Sequence, residues 1–133
     1  MTKTAFKTIA GKQAVTQAYD VFFGRMRIPH ECVYVGTRFG KAFAIAAGDG
    51  DAPPLILLHG SGMNSAMWIE DMETYAGGYR VYAVDLQGEP GLSDGRQLPF
   101  EGPDFALWLH DVFAGLSIPK ASIVGISLGA WLA

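Results

Sequence analysis

Ser127 lies in the run Gly125-Ile126-Ser127-Leu128-Gly129, directly after the apolar pair Ile123-Val124 and before Ala130-Trp131-Leu132. An apolar strand ending in Gly-x-Ser-x-Gly with a helix directly behind it is the context of a nucleophile elbow. A serine hydroxyl becomes a useful nucleophile when it stands clear of a sheet on a sharp turn, open to a base and to a substrate carbonyl. Such a turn strains the serine backbone and presses strand against helix. Glycine at 125 and 129 removes the side chains that would collide. Leu128 opens the helix, so its N–H has no intrahelical partner and is a candidate donor to an oxyanion.

A second group stands upstream. His59-Gly60-Ser61-Gly62 follows the apolar run Leu55-Ile56-Leu57-Leu58, at what should be the carboxyl end of a buried strand, where open parallel sheets bind ligands. A His-Gly turn followed by small residues lets backbone N–H groups point into the site. The Ser61 amide is therefore the candidate second oxyanion donor, with Gly62 in reserve, and Gly60 and Gly62 are candidate substrate-binding positions.

The elements that must carry these groups follow from periodicity. Residues 4–26 place Phe6, Ile9, Ala14, Ala18 and Phe22 at helical spacing, and Gly24 is a natural stop. Residues 32–37 and 41–47 alternate as strands around a tight turn at Phe39-Gly40, which predicts an antiparallel hairpin. Residues 55–58 are apolar without interruption, as expected of a strand covered on both faces. A helix over 65–75, a strand over 80–85 and a helix from about Pro103 come next. That last helix has a stripe of Phe105, Trp108, Leu109, Val112, Phe113 and Leu116. A strand over 121–125 then leads to Ser127. A hairpin followed by βαβαβ and a last helix specifies an α/β fold with a mainly parallel sheet.

Half of the 133 residues are hydrophobic, 17 % are charged and the net charge is −3, a globular composition rather than a disordered one. No Lys/Arg run points to nucleic acid or to an anionic membrane. Cys32 is the only cysteine; it cannot form an internal disulfide and reads as a small buried hydrophobe on a strand. The apolar runs are too short to span a bilayer. The amino terminus lacks the apolar region of a signal peptide, so a soluble cytoplasmic protein is expected.

In their order and spacing, His59-Gly60, Asp85-Leu86-Gln87-Gly88 and Gly125-Ile126-Ser127-Leu128-Gly129 resemble the amino-terminal half of an α/β-hydrolase. Met67-Trp68 and Trp108-Leu109-x-Asp111-Val112 are similar to segments of bacterial carboxylesterase-like members. The middle loop, Asp85-x-x-Gly88-x-x-Gly91-x-Ser93, is one residue longer than the pattern of many relatives. The resemblance implies Ser127 as nucleophile and the Leu128 and Ser61 amides as the oxyanion hole. It also implies that His59 orients the oxyanion loop and is not the base, and that Asp85 anchors its own loop. It divides the chain into an amino-terminal helix and turn, 1–30, and a partial hydrolase domain, 31–133.

In this family the triad acid and histidine follow the serine, whereas only six residues follow Ser127 and all three histidines, His30, His59 and His110, precede it. The chain is therefore expected to be a fragment, truncated after the elbow and close to inactive by itself. The complete protein would be a serine hydrolase of small carboxylic esters or related acyl compounds. No cofactor is expected, and no His/Asp/Glu spacing suggests a metal. The alternative is a non-catalytic binding or assembly module. In either case the apolar edge at 121–125 is expected to recruit a complementing chain or a second copy.

Overall fold

The computed structural model describes residues 2–133. Helix α1 (Ile9–Phe23) leads into strands β1 (His30–Thr37) and β2 (Gly40–Ala47), which pair antiparallel from His30↔Ala47 to Thr37↔Gly40. Strand β3 (Pro54–Leu58) follows, then a 3-10 turn (Ser65–Trp68) running into α2 (Ile69–Tyr75), and strand β4 (Arg80–Val84). Helix α3 (Asp104–Gly115), strand β5 (Ser122–Gly125) and the short helix α4 (Leu128–Leu132) complete the chain. The strands form one sheet in the order β1-β2-β4-β3-β5. The leading hairpin and the parallel group β4-β3-β5 are as expected, and the two are joined by an antiparallel seam between β2 and β4.

The uninterrupted apolar run of β3 is explained by what covers it. Ile56 and Leu58 face a core with Trp108, Val112 and Phe105 of α3, while Leu55 and Leu57 face a second core with Tyr19 of α1, Trp68 and Met72. Alternate side chains of one strand thus enter opposite layers, and both layers demand apolar residues. Each of these large side chains contributes about 1.5–3 kcal/mol by leaving water. The apolar stripe of α3 is realised as read: Phe105, Trp108 and Val112 are buried, with Leu109, Phe113 and Leu116 packed at the margin.

Three expectations are corrected. The first helix starts at Ile9, not at residue 4. Thr4 bridges Arg96, and Ala5 N–H donates to the Gly95 carbonyl at 2.7 Å, so the amino-terminal residues are drawn into extended pairing. Thr8 then caps the helix, its hydroxyl accepting from Gly11 N–H at 3.0 Å. The second helix opens as a 3-10 turn capped by the Asn64 side chain. Cys32 is exposed, because β1 is an edge strand and its first three residues are uncovered. Among the described residues no helix is long and apolar enough to cross a membrane.

Candidate active site

From β3 the chain crosses to β4 on one side and then to β5 on the other, so the connection reverses at β3. A crevice outside the carboxyl ends of strands at such a switch point is where α/β sheets bind ligands. Here β3 delivers His59-Gly60-Ser61 and β5 delivers Ser127.

Ser127 has φ +53° and ψ −113°, a backbone region that a side-chain-bearing residue enters only when its surroundings hold it there. The two flanking glycines do the holding. A Cβ on Gly129 would stand 2.2 Å from the Leu58 carbonyl oxygen, and one on Gly125 would stand 2.5 Å from the Gly129 carbonyl. The start of α4 is thus packed onto the end of β3 at a distance only glycine allows, and Ile126 N–H donates to that same Leu58 carbonyl at 3.1 Å. Ser127 is left exposed at the tip.

The two sequence-predicted groups come together. A Cβ on buried Gly60 would lie 3.7 Å from the Ser127 Cβ and 3.7 Å from the Ile126 carbonyl. The turn after β3 therefore passes directly beside the serine. Ser61 is exposed next to it. Gly62, at φ +73°, does not hold its amide free, since it donates to Glu89 Oε2 at 2.7 Å.

His59 is fully buried with both ring nitrogens engaged. Nε2 accepts from Leu86 N–H at 2.9 Å, which leaves Nδ1–H to donate to the Gly60 carbonyl at 2.8 Å. Burial pushes its pKa below the usual histidine value, outweighing the opposing pull of the Gly60 carbonyl and of the Asp85 and Glu89 charges. It is a neutral strut joining the ends of β3 and β4. His30 Nδ1 bonds the Ile28 carbonyl, and His110 sits exposed beside Asp111 on α3. Among the described residues, none of the three histidines hydrogen-bonds Ser127.

Asp85 is buried and anchors the neighbouring loops. Oδ1 accepts from Tyr19 Oη–H at 2.7 Å and from Ser65 N–H at 2.8 Å, and Oδ2 accepts from Leu92 N–H at 2.7 Å. Ser93 Oγ–H donates to the Asp85 carbonyl at 2.6 Å and accepts from Phe43 N–H at 2.8 Å. Burial against this carboxylate drives the Tyr19 phenol far above its ordinary pKa, so it remains a donor. Sequence reasoning found the Asp85 loop but neither Tyr19, which reaches it from 66 positions away, nor Glu89. The only sequence sign at Glu89 is the extra residue in that loop.

Comparison with known proteins agrees with this fold. Residues 55–133 match the profile of the Alpha/beta hydrolase family. Carboxylesterase YbfK of Bacillus subtilis is 43 % identical over 113 residues, 85 % of this chain and 38 % of that protein. Its crystal structure superposes with TM-score 0.86 at 40 % identity, covering 93 % of this chain and 44 % of that one. The naproxen esterase (carboxylesterase NP) of Bacillus subtilis superposes with TM-score 0.88 at 35 % identity, covering 96 % of this chain and 45 % of that one. The chain thus spans less than half the length of these relatives. Profile, identity and superposition over most of the chain agree: the chain belongs to the α/β-hydrolase family.

Proposed function

We propose that the complete protein is a serine hydrolase of small carboxylic esters, and that this chain supplies its nucleophile and oxyanion donors. The observation that carries the reading is the strained Ser127 at the tip of β5, with Gly60 of the neighbouring turn packed against it. Ser127 Oγ attacks the ester carbonyl carbon. The carbonyl electron pair moves to oxygen, where the N–H groups of Leu128 and Ser61 receive it. The general base takes the Ser127 hydroxyl proton and passes it to the departing alkoxide as the intermediate collapses. Water, giving its proton to the same base, then releases the acyl group from the serine as the acid. Each oxyanion donor is worth ~10²–10³ in rate. The general base and its carboxylate come from sequence beyond this chain, because both nitrogens of His59 are committed elsewhere. The names of the relatives, carboxylesterases of Bacillus subtilis, support the ester as substrate class.

The test is hydrolysis of p-nitrophenyl acetate by the 133-residue chain, by a longer product of the same gene, and by Ser127→Ala in each. Turnover that is confined to the longer product and lost in Ser127→Ala is expected. Multiple turnover by the short chain that depends on Ser127 would overturn the division of labour, and turnover surviving Ser127→Ala would overturn the nucleophile.

A second reading, an assembly module, draws on the outer edge of the sheet. Among the described residues strand β5 pairs only with β3 and is part-exposed, and beside it lies an apolar groove of about 510 Å³ lined by Leu109, Phe113, Ile118, Ile123 and Leu132. An unpaired strand edge next to an apolar groove accepts another strand. Specific, saturable pairing of the short chain with a separate polypeptide, without any esterase activity in the pair, would favour this reading over the first.

A further inference from the structure

The turn after β3 is held from outside by the loop that follows β4. Glu89 Oε2 accepts the Gly62 N–H at 2.7 Å, and its Oε1 lies 3.5 Å from the Ser61 hydroxyl. The next residue extends the clasp, the Pro90 carbonyl accepting from Asn64 Nδ2 at 3.0 Å. The loop that presents these acceptors is itself tied down. Leu92 N–H reaches Asp85 Oδ2 at 2.7 Å, Gly88 N–H reaches the Asp94 carbonyl at 3.0 Å, and Gly91 N–H reaches the Glu89 carbonyl at 2.8 Å. A Cβ on Gly91 would stand 2.4 Å from Asp85 Oδ2, so the loop backbone is packed directly against this carboxylate.

A bond from a backbone N–H to an ionised carboxylate is about twice as strong as one between neutral groups. Here it falls on the peptide unit joining Ser61 to Gly62. Peptide units are planar, so fixing this one leaves only the two dihedrals of Ser61 between it and the unit that carries the Ser61 N–H. We infer that Glu89 is a positioning residue: its carboxylate locks the Ser61–Gly62 peptide so that the Ser61 N–H stays directed at the space in front of Ser127. The inference rests on the oxyanion role proposed for Ser61, and it leaves Ser61 as the donor on this side, since the Gly62 amide is occupied.

The experiment compares the parent, Glu89→Ala and Glu89→Gln by two readouts. Amide hydrogen exchange of the peptide spanning residues 59–64, followed by mass spectrometry in the 133-residue chain, reports whether the turn is held. Steady-state hydrolysis of p-nitrophenyl acetate, in whichever form of the protein shows turnover dependent on Ser127, reports the consequence. A charge-assisted hydrogen bond lost from the turn should speed exchange at Gly62 by about tenfold or more. Glu89→Ala is expected to do that and to lower kcat about tenfold at unchanged KM, while Glu89→Gln, which keeps an acceptor oxygen, recovers most of both. Unchanged exchange in Glu89→Ala would overturn the inference, as would faster exchange with unchanged kcat, or a Gln variant as defective as Ala. Turnover independent of Ser127 would sink the assignment of Ser127 as nucleophile alone, and the exchange arm would still decide whether Glu89 holds the turn.

Discussion

Replacing Gly129 by alanine separates local propensity from tertiary packing, because the two predict opposite signs. Gly129 is in the first turn of α4, and alanine there should stabilise an isolated helix by about 1 kcal/mol. In the fold the new methyl would meet the Leu58 carbonyl oxygen at 2.2 Å, its carbon at 2.6 Å and the His59 carbonyl oxygen at 2.7 Å. All three are backbone atoms at the end of a central strand, so relief requires α4 to move by about an ångström. That movement breaks the Ile126 N–H bond to the Leu58 carbonyl, now 3.1 Å, at about 1 kcal/mol. Overpacking itself costs about 1–3 kcal/mol, and contacts this short belong at the upper end. The net expectation is a loss of about 2–3 kcal/mol, or a fall in Tm of roughly 6–15 °C for a domain of this size. Circular dichroism melts at matched protein concentration would measure it, with Gly78→Ala as the control, since a Cβ at Gly78 meets nothing within 4 Å. A Gly129→Ala protein that melts at or above the parent would refute the claim that the elbow is closed by backbone contact.

Three further outcomes follow from single features. Ser117 ends α3 at φ +57°, with Ser117 N–H on the Ala114 carbonyl and Ile118 N–H on the Phe113 carbonyl, the double bond pattern that favours glycine at this position; Ser117→Gly should raise stability by about 1 kcal/mol in urea titration. His59 is held neutral by burial, with its pKa below that of an unfolded histidine, about 6.5. Its contribution is therefore complete above that pH and is lost as pH falls through the folded-state pKa, because the unfolded chain takes up a proton that the fold refuses. The slope is at most about 1.4 kcal/mol per pH unit, and urea titrations between pH 7.5 and 5 should show a component that disappears in His59→Gln. Finally, if the free edge of β5 drives association, size-exclusion chromatography of the 133-residue chain should show oligomers that Ile123→Lys, in the groove beside that edge, reduces toward monomer; a monodisperse monomer in both would argue against the edge as an interface.

Much of the architecture is legible in the order of residues, and the reason is local. Unbroken apolarity at 55–58 means burial on both faces, alternation around Phe39-Gly40 means a hairpin, and a 3.6-residue stripe from Phe105 to Leu116 means a helix laid on a sheet. Gly125 and Gly129 around Ser127 also announce their purpose, since sharp strand-to-helix turns exclude side chains at those positions. Other features depend on partners far away in the chain. Periodicity says which face of a strand is apolar but not which strand lies beside it, so it does not reveal that β3 is inserted between β4 and β5, or that β1 forms the edge that exposes Cys32. Hydrogen bonds across loops follow the same rule. The Tyr19–Asp85 contact joins residues 66 apart, and the Glu89–Gly62 contact joins residues 27 apart. Neither leaves a trace in local composition, because a lone tyrosine on a helix or a lone glutamate in a loop is usually a solvated residue. They acquire their roles only when the sheet brings the carboxyl ends of β3, β4 and β5 to one side. The chemistry-bearing residue types belong to the sequence, and their distances and acceptors are decided by the fold.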